Sequence, residues 1–287
     1  DQVIADLAEA EKIIDPNYSR KGVTDSKAVV TLPAIQALLS RVYLYCGKWQ
    51  LAADEATKVI ASKKYTMWTK TDLKDAKAYR QDAPTAGEII FEVYGAKANA
   101  YDGYWDGLTN MTASTGSYGD GGASPELQAI YEDTDVRKTL FATDDKGECL
   151  FTTKYAGKGV ATPDLTNTIV LRLSEMYLNR AEAIINGATV SGVTATADLT
   201  EVASMRGATT QPATKTGVYL ERQKELAWEG QLWFDLARTG RASIRSAADF
   251  VGTATSKDVE VGSYKWAMPI PQREINVNQS IKQNEGY

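Results

Sequence analysis

The sequence predicts a mainly α-helical fold in which tetratricopeptide-like hairpins form a scaffold carrying irregular loops and minor β-structure. Three observations predict it. Ile35, Leu38, Leu39, Val42 and Cys46 fall at i, i+3, i+4, i+7 and i+11, and Trp49, Ala52, Ala53, Ala56 and Ile60 repeat that spacing 14 positions later, the mark of two amphipathic helices in tandem. Leu173, Met176, Tyr177, Ala181 and Ile184 line one face of a helix over 171–185. Finally, residues 221–240 alternate charges with large aromatics at helical spacing, a costly pattern unless each charge has a partner.

The elements follow in chain order. Val3, Leu7, Ala10 and Ile14 give helical periodicity from the first residues. Thr31 with Pro33 fits a helix start and Gly47 the stop between the two hairpin helices; together 31–61 reads as one tetratricopeptide-like pair, with small alanines on its second helix admitting bulky residues of the first. Glu88–Tyr94 is short, β-branched and aromatic, hence a strand. Ser124 and Pro125 supply an N-cap and first-turn proline for a helix through about Tyr131, and Cys149–Tyr155 reads as another strand. The 171–185 helix begins a second pair, completed near 197–206 by a shortened or irregular partner. In the 221–240 block Arg222, Glu225 and Glu229 fall at i, i+3 and i+7, so they share a helix face and can pair along it, while Trp228, Leu232 and Trp233 continue an apolar surface. A buried, mutually paired network is expected there rather than a carboxylate active site.

Composition bounds the function. With 287 residues, 43% of them hydrophobic, the chain can bury a substantial core. A formal net charge of −5 leaves no electrostatic footprint for nucleic acid. The absence of histidine rules out His-dependent triads and His-ligated zinc within this sequence. Cys46 and Cys149 have no metal-type spacing, and Cys46 sits at an apolar helical position, so a buried free thiol is expected. No run of about 18 apolar residues is present to span a bilayer as a helix. No acidic pair stands in a recognisable acid and nucleophile context for glycoside hydrolysis.

The segment best suited to contact a ligand is 101–122, with four aromatics, six glycines and three aspartates. Such a composition cannot form a regular helix but can hold rings at a surface. A sugar presents an apolar C–H face and a polar rim, so aromatic platforms flanked by Asp, Asn or Arg suit it. Tyr104 and Trp105 would stack, with Tyr101 and Tyr118 beside them; Asp102, Asp106 and Asn110 would hydrogen-bond. Trp68 and Arg80 are further candidates, with packing in the core or at the rim as the alternative. The alternative for the insert is that its aromatics pin a long loop to the scaffold. Asp102, Asp106 and Asp120 lack an EF-hand pattern, so no metal is assigned, and no cofactor motif is present.

Three blocks carry a family resemblance. Glu221-Arg222, Glu225-Leu226, Glu229-Gly230, Asp235-Leu236 and Arg238 match the signature Glu-Arg-x-x-Glu-Leu-x-x-Glu-Gly-x-Arg-x-x-Asp-Leu-x-Arg of the SusD/RagB proteins, with Trp233 at or near the position usually held by a basic or aromatic residue. Pro269-Ile270-Pro271 and the ending Gln283-Asn284-Glu285-Gly286-Tyr287 resemble the family's Ile-Pro segment and Gln-Asn-x-Gly-Tyr tail, and Arg172–Ala183 resembles its Arg-x-x-Glu-x-Tyr-Leu-x-x-Ala-Glu-Ala helix. Asp135-Val136-Arg137 resembles its Asp-x-Arg element, whereas Ala203–Ala208 departs from its Asn-x-x-Arg-x-Arg-Ala.

The resemblance implies one SusD/RagB-like domain over 1–287, with 169–287 as the signature region, forming the C-terminal portion of a longer surface lipoprotein of Bacteroidota. It implies non-catalytic capture of an oligosaccharide and its delivery to a SusC-like TonB-dependent transporter at the outer membrane, with a lipid anchor outside this sequence. Peptide uptake, or a protein-interaction scaffold without a small ligand, are the alternatives.

Overall fold

The computed structural model describes residues 1–21, 26–80, 87–95, 112, 122–143, 150–155, 166–244 and 258–287. They form two compact units, Asp1–Glu229 and Gly230–Tyr287.

The first unit is a row of helices. α1 (Gln2–Ile13) packs on α2 (Leu32–Tyr45), α2 on α3 (Trp49–Ala61), α3 on α6 (Leu173–Ile185), and α6 on α7 (Ala195–Arg206). Ala52, Ala53 and Ala56 of α3 are fully buried, as are Met176, Leu178 and Ala181 of α6, so the two hairpins meet where α3 has no side chain beyond Cβ to hold them apart. Thr31 and Pro33 open α2, and Gly47 lies in the turn before α3, as the sequence predicts. The second hairpin is complete: α7 is a 12-residue helix capped by Thr194, whose hydroxyl accepts from the Ala197 amide at 3.1 Å. The bidentate Arg180–Asp198 pair, at 2.8 and 2.7 Å, ties α6 to α7.

Three expectations are corrected here. The apolar stripe of α1 runs through Ile4, Leu7, Ala10 and Ile14, while Val3 is 58% exposed, because α2 lies on the Ile4 side. Cys46 is a free but exposed thiol, since α2 ends at Tyr45 and Cys46 caps it beyond the packed face. Leu171 and Arg172 are strand, not helix: β4 (Thr168–Arg172) pairs antiparallel with β1 (Ile89–Val93), and the chain turns directly into α6.

Short elements fill the space beside the row. After α4 (Lys70–Leu73), Lys74–Arg80 forms a 3-10 turn. α5 (Pro125–Ala129) starts at Ser124, whose hydroxyl accepts from the Leu127 amide at 3.1 Å. β2 (Phe141–Thr143) and β3 (Leu150–Thr152) form a second antiparallel pair, and α8 (Lys215–Glu225) packs on α6 and α7.

The second unit holds α9 (Leu232–Arg238), a 3-10 turn at Tyr264–Trp266 and α10 (Gln272–Val277). Its tail forms a clasp. The Gln283 side chain donates to the Ile270 carbonyl at 2.9 Å and accepts from the Ile270 amide at 2.8 Å, and Asn284 donates to the Met268 carbonyl at 2.6 Å. Gly286 has φ +92, and a Cβ there would stand 2.3 Å from the Tyr264 ring, so the Gln-Asn-x-Gly-Tyr ending is a geometric requirement of this closure.

Enlarging α3 tests the packing of the row. Ala53→Leu is expected to destabilise the protein by about 1–3 kcal/mol through overpacking, read from the urea unfolding midpoint; an unchanged midpoint would show room that the packing described here does not leave.

Candidate functional site

The centre of the first unit is ionic. Glu225, the last residue of α8, is 3% exposed. It accepts from Arg206 Nη2 at 2.7 Å, Arg137 Nη1 at 2.9 Å and Arg172 Nη1, three cations brought from α7, the turn after α5, and β4. Burial raises the Glu225 pKa, but the three guanidinium groups outweigh burial and hold it well below the usual carboxylate range. Glu88, fully buried just before β1, bridges Arg206 Nη2 and Arg172 Nη1 and accepts from the Trp68 amide at 2.7 Å. Glu229 takes Arg172 Nε and Lys154 Nζ, each at 2.7 Å; against its burial, these cations lower its pKa. Arg137 also grips Asp135 in a bidentate pair at 2.9 and 2.8 Å and reaches Glu221 at 2.7 Å. Burial raises the Glu221 carboxyl pKa and lowers that of the Lys154 ammonium.

The network expected at 221–240 therefore exists, but its pairing differs from the helical expectation. α8 stops at Glu225, Trp228 takes a left-handed φ of +61 and Gly230 follows at +74, so Glu229 leaves the helix instead of continuing its face. Partners for Glu225 and Glu229 come from distant segments, and Arg222 turns to Asn179 at 2.7 Å and Glu182 at 3.7 Å. The unfavourable turn is braced on both sides: Tyr155 donates to the Trp228 carbonyl at 2.6 Å, and Phe141 meets the Trp228 indole edge-on at 5.3 Å.

This hub sets the roots of the loops. Glu88 lies just before β1, Arg172 at the end of β4 and Lys154 just after β3. The long insert departs after β1 and rejoins before α5, and both ends are fastened. Gly95 N donates to Asn167 Oδ1 at 3.0 Å, and Ala123 N donates to the Leu150 carbonyl at 2.7 Å. Beside the departing end, Val93 and Tyr94 are 57% and 42% exposed.

Of the residues singled out in the sequence, Tyr101, Asp102, Tyr104, Trp105, Asp106, Asn110 and Tyr118 lie outside the described residues, as do the Arg80 side chain and Cys149. Within 101–122 only Thr112, buried, and Gly122 are described. Trp68 takes the packing alternative: it is a core residue, 6% exposed, set edge-on against Tyr79 at 5.1 Å and packed with Leu73, Ile89 and Leu140. The anchor of the insert's first end was not legible, because nothing in sequence brings Asn167, 72 residues later, to Gly95. Among the described residues, no group of three or more His, Cys, Asp or Glu could hold a metal, and no helix is long and apolar enough to cross a membrane.

Fold and hub define the class: a two-hairpin helical scaffold, locked by buried ion pairs, that displays loops. Residues 149–287 match the model of the SusD family. Over 128 residues the chain is 37% identical to the starch-binding protein SusD of Bacteroides thetaiotaomicron, covering 44% of this chain and 22% of that protein. A crystal structure of a SusD superfamily protein from the same species superposes with a TM-score of 0.84 at 28% identity, covering 99% of this chain and 65% of that one. A SusD-like carbohydrate binding protein from Bacteroides vulgatus gives a TM-score of 0.69 at 25% identity over 85% of this chain and 52% of that one. The chain thus resembles the SusD family, through the family model over its C-terminal part and through SusD superfamily structures over nearly its whole length, and it spans less than two thirds of the length of each of these relatives.

The hub gives stability a defined pH dependence. Glu225 and Glu229 have folded pKa values below their ordinary ones, so their contribution is present above the ordinary carboxylate pKa and is lost as pH falls through the folded values. Glu221, shifted upward, acts in the opposite sense, but a single carboxylate opposes two. The thermal midpoint is expected to fall as pH is lowered below about 4.5; a midpoint flat from there into strong acid would contradict it. Glu225→Gln strands buried arginines and is expected to cost about 3–5 kcal/mol in denaturant unfolding.

Proposed function

We propose that this protein captures an oligosaccharide at the cell surface, without catalysis, and delivers it to a TonB-dependent outer-membrane transporter, held at the membrane by a lipid anchor. The observation that carries the reading is the 37% identity to a starch-binding protein over 128 residues. Relatives named for starch and for carbohydrate binding support the ligand class. The hub supports a binding rather than a catalytic role. Its carboxylates are buried, and Glu225 and Glu229 are held ionised by cations, which removes them from proton transfer at neutral pH.

In this reading the 101–122 segment supplies the rings. Trp105 and Tyr104 stack on pyranose faces, with Tyr101 and Tyr118 beside them, and Asp102, Asp106 and Asn110 bond the hydroxyl rim. A scaffold whose loop roots are fixed loses little conformational freedom on binding, which favours affinity from a few contacts.

Titration calorimetry of the protein against plant, host and microbial oligosaccharides, with a peptide panel beside them, tests this. One glycan class is expected to bind, and Trp105→Ala is expected to weaken it at least tenfold, about 1.4 kcal/mol, with the circular dichroism spectrum unchanged. Heat from peptides alone would transfer the site to peptide uptake, and no heat from any ligand would leave a scaffold role.

A further inference from the structure

The first helix is tied to the hairpin beside it by two carboxyl groups that share one lysine. α1 packs on α2 through Ile4, Leu7, Ala10 and Ile14 and contributes no fully buried residue. Glu11, in the last turn of α1, accepts from Lys58 Nζ of α3 at 2.9 Å and from Gln36 Nε2 of α2 at 3.0 Å. The same ammonium reaches Glu55 Oε1 at 2.7 Å. Glu55 is 6% exposed, and its Oε2 is closed off from solvent with no donor among the described residues. An oxygen so placed is unfavourable as part of an anion, whereas a protonated one needs only an acceptor. Glu11 supplies that acceptor, for the two carboxyl groups hydrogen-bond to each other, and such a bond requires one proton between them. Burial, with Glu11 beside it, raises the Glu55 pKa; against its partial burial, the bonds from Lys58 and Gln36 lower that of Glu11.

We propose that α1 is latched to the hairpin by a proton shared between Glu55 and Glu11, and that the latch loosens when this proton passes to solvent. With Glu55 protonated, its hydroxyl donates to the Glu11 carboxylate, and Lys58 is balanced by one negative charge. With Glu55 ionised, two carboxylates face one ammonium between α1 and α3. The other groups around the pair do not offset this change. Tyr43 of α2 has its pKa raised by burial and by both carboxylates, so it stays neutral. The charges of α6, which packs on α3, are engaged elsewhere: Glu175 with Arg41 of α2, Arg180 with Asp198 and Glu182 with Arg222. Asp6, Glu9 and Lys12 of α1 and Asp54 of α3 are exposed. Because the folded pKa of Glu55 lies above its ordinary value, its contribution is full below the ordinary carboxylate pKa and is lost as pH rises through the folded value. Glu11, shifted downward, contributes above its ordinary value and loses that only as pH falls through the lower one. The latch is therefore tightest in mild acid.

Hydrogen exchange of the whole chain tests this, expressed as protection factors so that the intrinsic pH dependence of exchange cancels. From about pH 4.5 to about pH 8, the α1 amides are expected to lose protection roughly two- to fivefold relative to those of α6, the worth of one partly exposed charge contact. Glu55→Gln keeps an N–H donor for Glu11 and an acceptor for Lys58 at constant charge, and is expected to hold α1 at its mild-acid protection throughout. Glu11→Gln, at a more exposed position, removes the like charge and is expected to abolish the fall as well, which keeps the test decisive should the buried variant fail to fold. Protection of α1 that is flat with pH in the wild-type chain, or that falls as steeply in either variant, would overturn the latch.

Discussion

The interaction on which the structure depends is the burial of Glu225 among three arginines. A carboxylate removed from water is tolerable only when its lone pairs are filled by well-placed donors, and here Arg137, Arg172 and Arg206 fill them from three different elements. Each arginine carries surplus donors that must also be satisfied, so the requirement spreads outward: Arg137 takes Asp135 and Glu221, Arg172 takes Glu88 and Glu229, and Arg206 takes Glu88 and the Trp68 carbonyl. Lys154 closes the set through Glu229. Apolar residues of similar volume could give comparable stability. What ion pairs add is direction, because a guanidinium accepts few arrangements of its neighbours.

Directionality matters because the hub joins short, non-consecutive pieces that have little core of their own. β1 and β4 have five residues each and β2 and β3 only three, too few to hold register by packing alone. Glu88 before β1 and Arg172 at the end of β4 pair with each other as well as with the hub. The strand register, and with it the place where the insert leaves the scaffold, is therefore referred to the same charged centre. The second hairpin is tied in through Arg206 at the end of α7, so the helical row and the loop-bearing elements share one reference point.

Much of this was legible in the sequence, and the boundary falls at a physical distinction. Helix existence follows from local periodicity, so the 14-residue repeat gave α2 and α3, and Leu173–Ile184 gave α6. Capping chemistry is also local, hence Ser124 with Pro125 marked α5. Pairing over long range was not legible: that Glu225 meets Arg206, 19 residues earlier, and Arg137, 88 residues earlier, is decided by packing, and the i, i+3, i+7 spacing suggested a ladder within one helix instead. The break came from Trp228 in a left-handed conformation, which no propensity favours for a bulky side chain. Cys46 and Val3 failed for a related reason. Periodicity fixes which residues share a face, but the margin of that face depends on how far the neighbouring helix extends.

The same distinction bears on how a family can keep one scaffold and change ligands. The hub's ion pairs are buried among one another, with Glu221 Oε2 left without a hydrogen bond among the described residues, so a substitution there is felt first as lost stability. The chain on either side of the insert is fastened, by the Gly95 N–H to the Asn167 side chain and by the Ala123 N–H to the Leu150 carbonyl. The signature blocks are residues that hold the molecule together, which is why the resemblance could be read from them, whereas the ligand requires binding measurements.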